Sequence, residues 1–338
     1  MKLDTPRWWY VREGAPAPIT RAVLQPLSWI WAAATARRIA RGAPRDPGVP
    51  VICVGNLTVG GTGKTPIVRE LAHRLQMAGQ KPVILTRGHG GTLEGPVAVE
   101  LARHTAAEVG DEPIMLAKDF PVIVSRDRAA GALEAVSAGA DIIVMDDGHQ
   151  NPAVRKTLSL VVVDGETRDD EWPFGDGSVF PAGPMREPLA VGLARADAVI
   201  ILLPPGLDAV DPDLLAVFGD KPVLIARLMA ATPPPGGPQL GFAGVGKPWK
   251  VERALKAAGC MLVDFAAFPD HKPYDDKALS ALAAHAEVYE AGLVTTEKDW
   301  VRLSPMWQAQ VTAWPVRAKF DHEAVVDALL HSLFTPRP

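Results

Sequence analysis

The stretch PVICVGNLTVGGTGKTP, residues 50–66, decides the reading of the chain. Its first half is a β-branched apolar run and reads as a buried strand. Its second half packs Gly60, Gly61 and Gly63 ahead of Lys64 and Thr65. Glycines let a backbone turn its N–H groups inward around an anion, and a helix starting at Lys64 adds its positive dipole end. In such a loop the lysine reaches the outer phosphates and the threonine hydroxyl holds magnesium. Thr58, Gly60, Gly61, Thr62, Gly63, Lys64 and Thr65 are therefore the expected nucleotide-binding residues, with ATP and Mg2+ as ligands. The general fingerprint G-x-x-x-x-G-K-[ST] has glycine where this chain has Thr58, a departure the structure must account for.

Outward from the loop, apolar runs alternate with helical patterns. Strands are expected at 50–55, 82–86, 121–124, 141–146, 159–163 and 198–203, and helices at 64–78, 112–119, 127–138 and 211–217. Strands separated by helices imply a mostly parallel α/β sheet with ligands beyond the strand carboxyl ends. ATPPPGGP (231–238) reads as a linker. A second alternation follows, with strands near 239–245, 260–265, 292–295 and 311–316 and helices near 249–258 and 275–286. The expected fold is an α/β phosphate-loop sheet domain (43–232), a smaller α/β domain (239–338) closed by a helix near 322–334, and an N-terminal helical region (1–42). In ADIIVMDDGHQ (140–150) an apolar run ends in Asp146 and Asp147. A carboxylate at the end of a strand beside the loop's strand faces the metal of a bound nucleotide, so both are candidate ligands.

Composition narrows the class. The 338 residues carry a formal net charge of −4 and only two cysteines, Cys53 and Cys260. No basic stripe points to a nucleic-acid partner, and a disulfide framework or cysteine-rich metal site is not expected. No obligate protein partner is evident. Near the N-terminus, Ala22–Ala36 is too short for a span, is interrupted by Pro26 and is flanked by Arg21, Arg37, Arg38 and Arg41. With Trp8, Trp9, Trp29 and Trp31 it reads as a helix lying in a membrane surface, against the simpler alternative of an Ala-rich helix packed on the body.

A guanine-reading [NT]-K-x-D motif is absent: TTEKD (295–299) has the ingredients in another order. Membrane-positioning ATPases carry an extra lysine where this chain has Val59. The combined pieces GNLTVGGTGKTP (55–66), TRGHGG (86–91), VGDEP (109–113), DDGHQ (146–150), FPAGPMREP (180–188), FAGVGKP (242–248), FPDHKPY (268–274) and TTEKD resemble the tetraacyldisaccharide 4'-kinase family of lipid A biosynthesis.

The resemblance implies an enzyme on the inner membrane, facing the cytoplasm, with its site between two α/β domains. It implies transfer of the ATP γ-phosphate to the 4'-hydroxyl of a tetraacylated glucosamine disaccharide 1-phosphate, giving lipid IVA. Asp111 matches the family's catalytic aspartate, although its position before a helical pattern also suits a capping residue. His271 matches the histidine that assists it. Glu187 is implied as a further metal-related carboxylate, Gln150 as a contact near metal or nucleotide, and Arg186 as a phosphate neutraliser. Arg126, Arg128 and His89 are candidates for the lipid substrate. Three positions depart from the family: His89 for a usual tyrosine, His149 for a large apolar residue, and Lys272 where a second histidine is common. The competing readings are another phosphate-loop kinase or ligase, or a membrane-positioning ATPase.

Overall fold

A computed structural model of the chain describes residues 6–14, 16–270 and 273–334. Its thirteen strands among the described residues are β1 (Val51–Gly55), β2 (Pro82–Thr86), β3 (Val97–Ala98), β4 (Val122–Val124), β5 (Ile142–Asp146), β6 (Leu158–Asp164), β7 (Ala198–Leu203), β8 (Val223–Ala230), β9 (Pro238–Ala243), β10 (Met261–Ala267), β11 (Gly292–Thr296), β12 (Val311–Trp314) and β13 (Val316–Phe320). They form a nine-stranded sheet ordered β13-β8-β7-β6-β1-β5-β2-β4-β3 and a four-stranded sheet ordered β10-β9-β11-β12. The small sheet is parallel throughout, and in the large one only the edge strands β3 and β13 run antiparallel to their neighbours.

The central strands β1, β2 and β4–β7 are buried on both faces, which explains why they read as continuous apolar runs. Ile52 and Val54 of β1 pack with Ile67, Val68, Leu71 and Leu75 of helix α2 (Lys64–Met77). The alternate residues Val51 and Cys53 pack on the other face with Ala129, Ala132 and Ala135 of the helix Arg128–Ser137. Each fully buried aliphatic side chain contributes about 1.5–3 kcal/mol, so the loop between β1 and α2 rests on a firmly packed core. Cys53 belongs to that core, and burial pushes its thiol up to about 11.

Chain order reverses around β1, whose neighbours are β5 and β6. That is the switch point where doubly wound sheets open a crevice for ligands.

The C-terminal part follows a different course from the expected one. The strand anticipated at 311–316 divides at Pro315: β12 ends the small sheet, and β13 crosses to pair antiparallel with β8. Proline has no N–H for a ladder, so it suits a crossing point. The terminal helix Glu323–His331 then packs on the large sheet through Val326 and Leu330, rather than closing the small domain. The outgoing linker and the returning chain lie side by side, with the Ala231 N–H donating to the Pro315 carbonyl at 2.9 Å.

Helix α1 (Pro18–Ala40) presents its polar side to the protein. Arg21, Ser28 and Thr35 are buried, whereas Ile19, Val23 and Ile30 are 80%, 70% and 66% exposed, Leu27 and Trp29 also face outward, and Trp31 lies at the border between the two faces. No helix among the described residues is long and apolar enough to cross a membrane.

Candidate active site

The phosphate loop is organised from below by Asn56. Its side-chain amide donates to the Thr58 carbonyl at 2.8 Å and to the Thr62 hydroxyl at 3.2 Å. Gly60 and Gly63 have φ of 96° and 76°, values that favour glycine. Thr58 is not among the positive-φ residues; it forms an isolated β-bridge with Met185. The position that is glycine in the general fingerprint is extended backbone here, which a β-branched residue favours. Gly63 leads into α2, whose first residues are Lys64 and Thr65.

Asp146 ends β5, and Asp147 follows with φ of 52°. That left-handed turn sends the two side chains in different directions. Asp147 takes the Arg186 guanidinium at 2.7 Å and the Lys64 ammonium at 3.5 Å. Burial opposes its ionisation, but Arg186 and Lys64 hold its carboxyl well below the usual range. Asp146 is fully enclosed, and its Oδ1 has no hydrogen-bond partner. Burial, reinforced by the negative charge of Glu112, pushes it up to about 7. An orphaned buried carboxylate oxygen beside a phosphate loop suits a divalent cation, which supplies the missing positive charge. No cluster of three or more His, Cys, Asp or Glu side chains able to hold a metal occurs among the described residues.

Gln150 and Glu187 stand behind this arrangement. The Gln150 amide donates to the Asn56 carbonyl at 2.9 Å and to Glu187 Oε1 at 3.0 Å. Both Glu187 oxygens also accept from Arg195, at 2.6 and 2.7 Å. In this geometry they buttress the loop, and Glu187's carboxylate is engaged by a cation the sequence did not flag. His149 is also buried here, with Nε2 on the Gly192 carbonyl at 2.9 Å and Nδ1 on the Ser159 hydroxyl at 3.1 Å. Burial pulls it down to about 4, so it is neutral, donating from Nε2 and accepting at Nδ1.

The GDEP turn is dovetailed to the RGHGG loop. A Cβ on Gly91 would lie 2.5 Å from the Glu108 carbonyl, and one on Gly110 would lie 2.8 Å from that of His89. Asp111 is the first residue of the helix Asp111–Leu116 and is buried. Gly110 occupies the cap position that the sequence left open for Asp111.

Opposite lies the small domain's TTEKD segment. Lys298 approaches Glu112 Oε1 at 3.5 Å and Asp270 Oδ1 at 3.8 Å, and Arg302 Nε is 3.9 Å from Asp111. Burial opposes the Lys298 charge, but Glu112, Asp111 and Asp270 outweigh it and push the ammonium up. Asp299, fully buried, accepts from the Gly244 N–H and the Tyr274 hydroxyl and pairs with Arg302. A Cβ on Gly246 would lie 3.5 Å from both Gly61 N and Asp270 Oδ2, so the second glycine loop abuts the first.

Contacts thus join Lys64, Arg186 and Asp147 on one side and Lys298, Glu112, Asp270, Arg302 and Asp111 on the other, with the Glu112 charge acting on Asp146 between them. His271 and Lys272 lie outside the described residues. The candidate substrate arginines are placed differently from the expectation. Arg126 is exposed and paired with Glu94 at 2.6 Å. Arg128 is buried, donating to the Ser125 and Asp146 carbonyls, and burial lowers it to about 10. Its guanidinium holds strand ends together and is not presented to a ligand. His89 is exposed. Lys298, Arg302 and Asn56 were not singled out from sequence; only the TTEKD motif carried a signal for the first.

The fold and loop define a nucleotide-using phosphotransferase of the parallel α/β type. The family model described as tetraacyldisaccharide-1-P 4'-kinase matches residues 20–334, and the chain belongs to that family. It is similar to the tetraacyldisaccharide 4'-kinases of Caulobacter sp. (strain K31), 69% identical over 98% of this chain and 99% of the relative, and of Phenylobacterium zucineum, 65% identical over 98% and 100%. Among solved structures, LpxK from Aquifex aeolicus in complex with ATP is 25% identical with a TM-score of 0.71, covering 93% of this chain and 99% of that one. The chain is a kinase of lipid A biosynthesis that uses ATP and acts on a lipid acceptor.

Proposed function

We propose that this chain transfers the ATP γ-phosphate to the 4'-hydroxyl of a tetraacylated disaccharide 1-phosphate in the cleft between the two sheets, working at the cytoplasmic face of the inner membrane. The observation that carries the reading is the convergence of Lys64, Asp146 and Asp147 on one side with Asp111 and Lys298 on the other. Phosphoryl transfer needs positioning and charge neutralisation more than covalent chemistry, and this cleft is built for both.

Lys64 and the loop N–H groups bind the outer phosphates, and Lys64 exchanges its contact with Asp147 for them. A magnesium ion held by Thr65 and Asp146 would offset charge on the phosphoryl group. Asp147 keeps Arg186 turned toward the same region. Asp111, rigid at a helix start, accepts the acceptor hydroxyl's proton, and a general base contributes about 10²–10⁴-fold. By the family resemblance His271 assists it. Lys298 and Arg302 hold the two sides together across this base. The outward apolar stripe of α1, followed by Arg37, Arg38 and Arg41, suits a helix lying among lipid headgroups.

The test supplies labelled ATP, magnesium and detergent-dispersed disaccharide 1-phosphate. Label should move to the lipid, and Asp111→Asn should cut turnover by at least about a hundredfold while nucleotide still binds. Undiminished turnover in that variant removes Asp111 as base, and transfer only to a soluble acceptor refutes the lipid specificity. Val23→Gln with Ile30→Gln should reduce flotation with vesicles; unchanged flotation refutes the docking role of α1.

A further inference from the structure

The N-terminal segment does more than present an apolar stripe, because its other face touches the nucleotide site at several points. Trp31 of α1 donates its indole N–H to the Arg186 carbonyl at 3.1 Å. Arg186 in turn donates Nε to the Thr58 carbonyl at 3.0 Å and a terminal nitrogen to Asp147 at 2.7 Å. Nearly three helical turns earlier Arg21 pairs with Asp176, and about one turn earlier the Ser28 hydroxyl accepts from the Ala182 N–H at 3.0 Å. The loop 176–188 is therefore held along its length by one face of α1, and the Trp31 ring sits 4.9 Å from Phe180.

A second route starts at the short helix Arg7–Tyr10 that precedes α1. The buried Tyr10 hydroxyl donates to the Val59 carbonyl, inside the phosphate loop, and the Val59 N–H donates to Pro184 of the same active-site loop at 2.7 Å. The Tyr10 ring also lies under the Lys247 ammonium at 4.0 Å, which ties it to the small domain.

We infer that Tyr10 and Trp31 are positioning residues for the phosphotransfer reaction: they fix the Val59 turn and Arg186, and through them the phosphate loop and Asp147. The helix that carries the apolar stripe is then a wall of the nucleotide site as well as its mooring. This rests on the reading above that Asp147 and the loop serve the nucleotide. Each acts through the group it holds, Tyr10 through the Val59 carbonyl and Trp31 through that of Arg186.

The variants that isolate this are Tyr10→Phe and Trp31→Phe, which keep an aromatic ring and remove one N–H or O–H donor. In the full chain, equilibrium binding of a fluorescent ATP analogue with magnesium is measured without vesicles, then with phosphatidylethanolamine–phosphatidylglycerol vesicles. Flotation and melting temperature are recorded alongside. Tyr10→Phe should weaken nucleotide binding about three- to tenfold and Trp31→Phe about two- to threefold, in the absence of vesicles and with flotation unchanged. Unaltered nucleotide affinity in both variants overturns the inference, as does a loss seen only when flotation is also lost. Asp147→Asn serves as the control: if it leaves magnesium-dependent binding intact, the reading of the site has failed. If it weakens binding while both aromatic variants do not, only the positioning role has failed.

Discussion

Two turns in this molecule follow the same local rules: strand, glycines, lysine, helix. One joins β1 to α2 through Gly60, Gly61, Gly63 and Lys64; the other joins β9 to the helix Pro248–Ala257 through Gly244, Gly246 and Lys247. The lysines have different fates. Lys64 makes one ion pair among the described residues, a long one to the Asp147 carboxylate at 3.5 Å, a contact that a phosphate can replace. Lys247 is held by Asp164 at 3.0 Å, by Glu171 at 3.7 Å and by the Tyr10 ring. Lys250 closes on the same Asp164. Burial opposes charge on Asp164 and Lys247 alike, yet their mutual attraction keeps Asp164 well below the usual carboxylate range and Lys247 above its own. A glycine–lysine turn becomes a phosphate site only where the neighbouring carboxylates leave its lysine something to do.

The largest effect that tests this contrast is at Lys64. Lys64→Met should lower turnover by about 10²–10³-fold, the scale for removing one preorganised charge from a transition state. Melting should be nearly unchanged, because the ammonium has one long contact and the helix start does not depend on it. A large drop in melting temperature would make Lys64 a structural residue like Lys247 and break the distinction.

The first turn also rests on a buried histidine, where the second rests on an ion-pair cluster. A Cβ on Gly55 would fall 2.4 Å from that of His149, so strand β1 ends directly against the backbone that carries this buried, neutral ring. His149's pKa is lowered from 6.5 to about 4 by burial. Below pH 6.5 the unfolded chain takes up the proton first, so the associated stability is full above that pH and is lost as pH falls toward 4. The ceiling is on the order of 3 kcal/mol. His149→Gln should flatten the decline of stability between pH 6.5 and 4, measured by denaturant unfolding at several pH values; an unchanged slope would refute the assignment.

Lys247→Met comes next. It removes one of two lysines from the buried Asp164, and Lys250 remains to compensate. A loss of about 2 kcal/mol is expected, less than for a pair left wholly uncompensated. Turnover should fall far less than in Lys64→Met. Unfolding and steady-state kinetics on the two variants, read together, show whether the two lysines exchange roles or keep them.

Much of this was legible in the sequence because burial on both faces makes strands read as apolar runs. β1, β2, β5, β7 and the phosphate loop were visible that way, as was the aspartate pair at the end of β5. Other features depend on partners that local pattern does not encode. VRAKF at Val316–Phe320 alternates as any edge strand does, and nothing in it says that it pairs with β8 rather than with β12. β8 itself was not anticipated; most of its residues are only partly buried. The Arg195 that pairs with Glu187 could not be read from MREP, nor the burial that encloses Arg128 from SRDR. The bond from Tyr10 to Val59 spans 49 residues and leaves no trace in either segment.

The smallest expected effect sharpens the comparison at the loops' point of contact. A Cβ on Gly61 meets nothing within 4 Å, and its φ is not in the positive range. By packing alone, Gly61→Ala should be tolerated, with stability within about 0.5 kcal/mol of the parent. Gly63→Ala should not be, since its φ is 76° and the new atom would lie 2.3 Å from the Leu202 side chain. Any reason for glycine at 61 must therefore come from what the loop holds. If Gly61→Ala melts like the parent but binds the fluorescent ATP analogue several-fold more weakly, the missing side chain leaves room for phosphate against the backbone N–H. If affinity is also unchanged, residue 61 contributes nothing that alanine cannot, and the phosphate contacts lie with Gly60, Gly63 and Lys64.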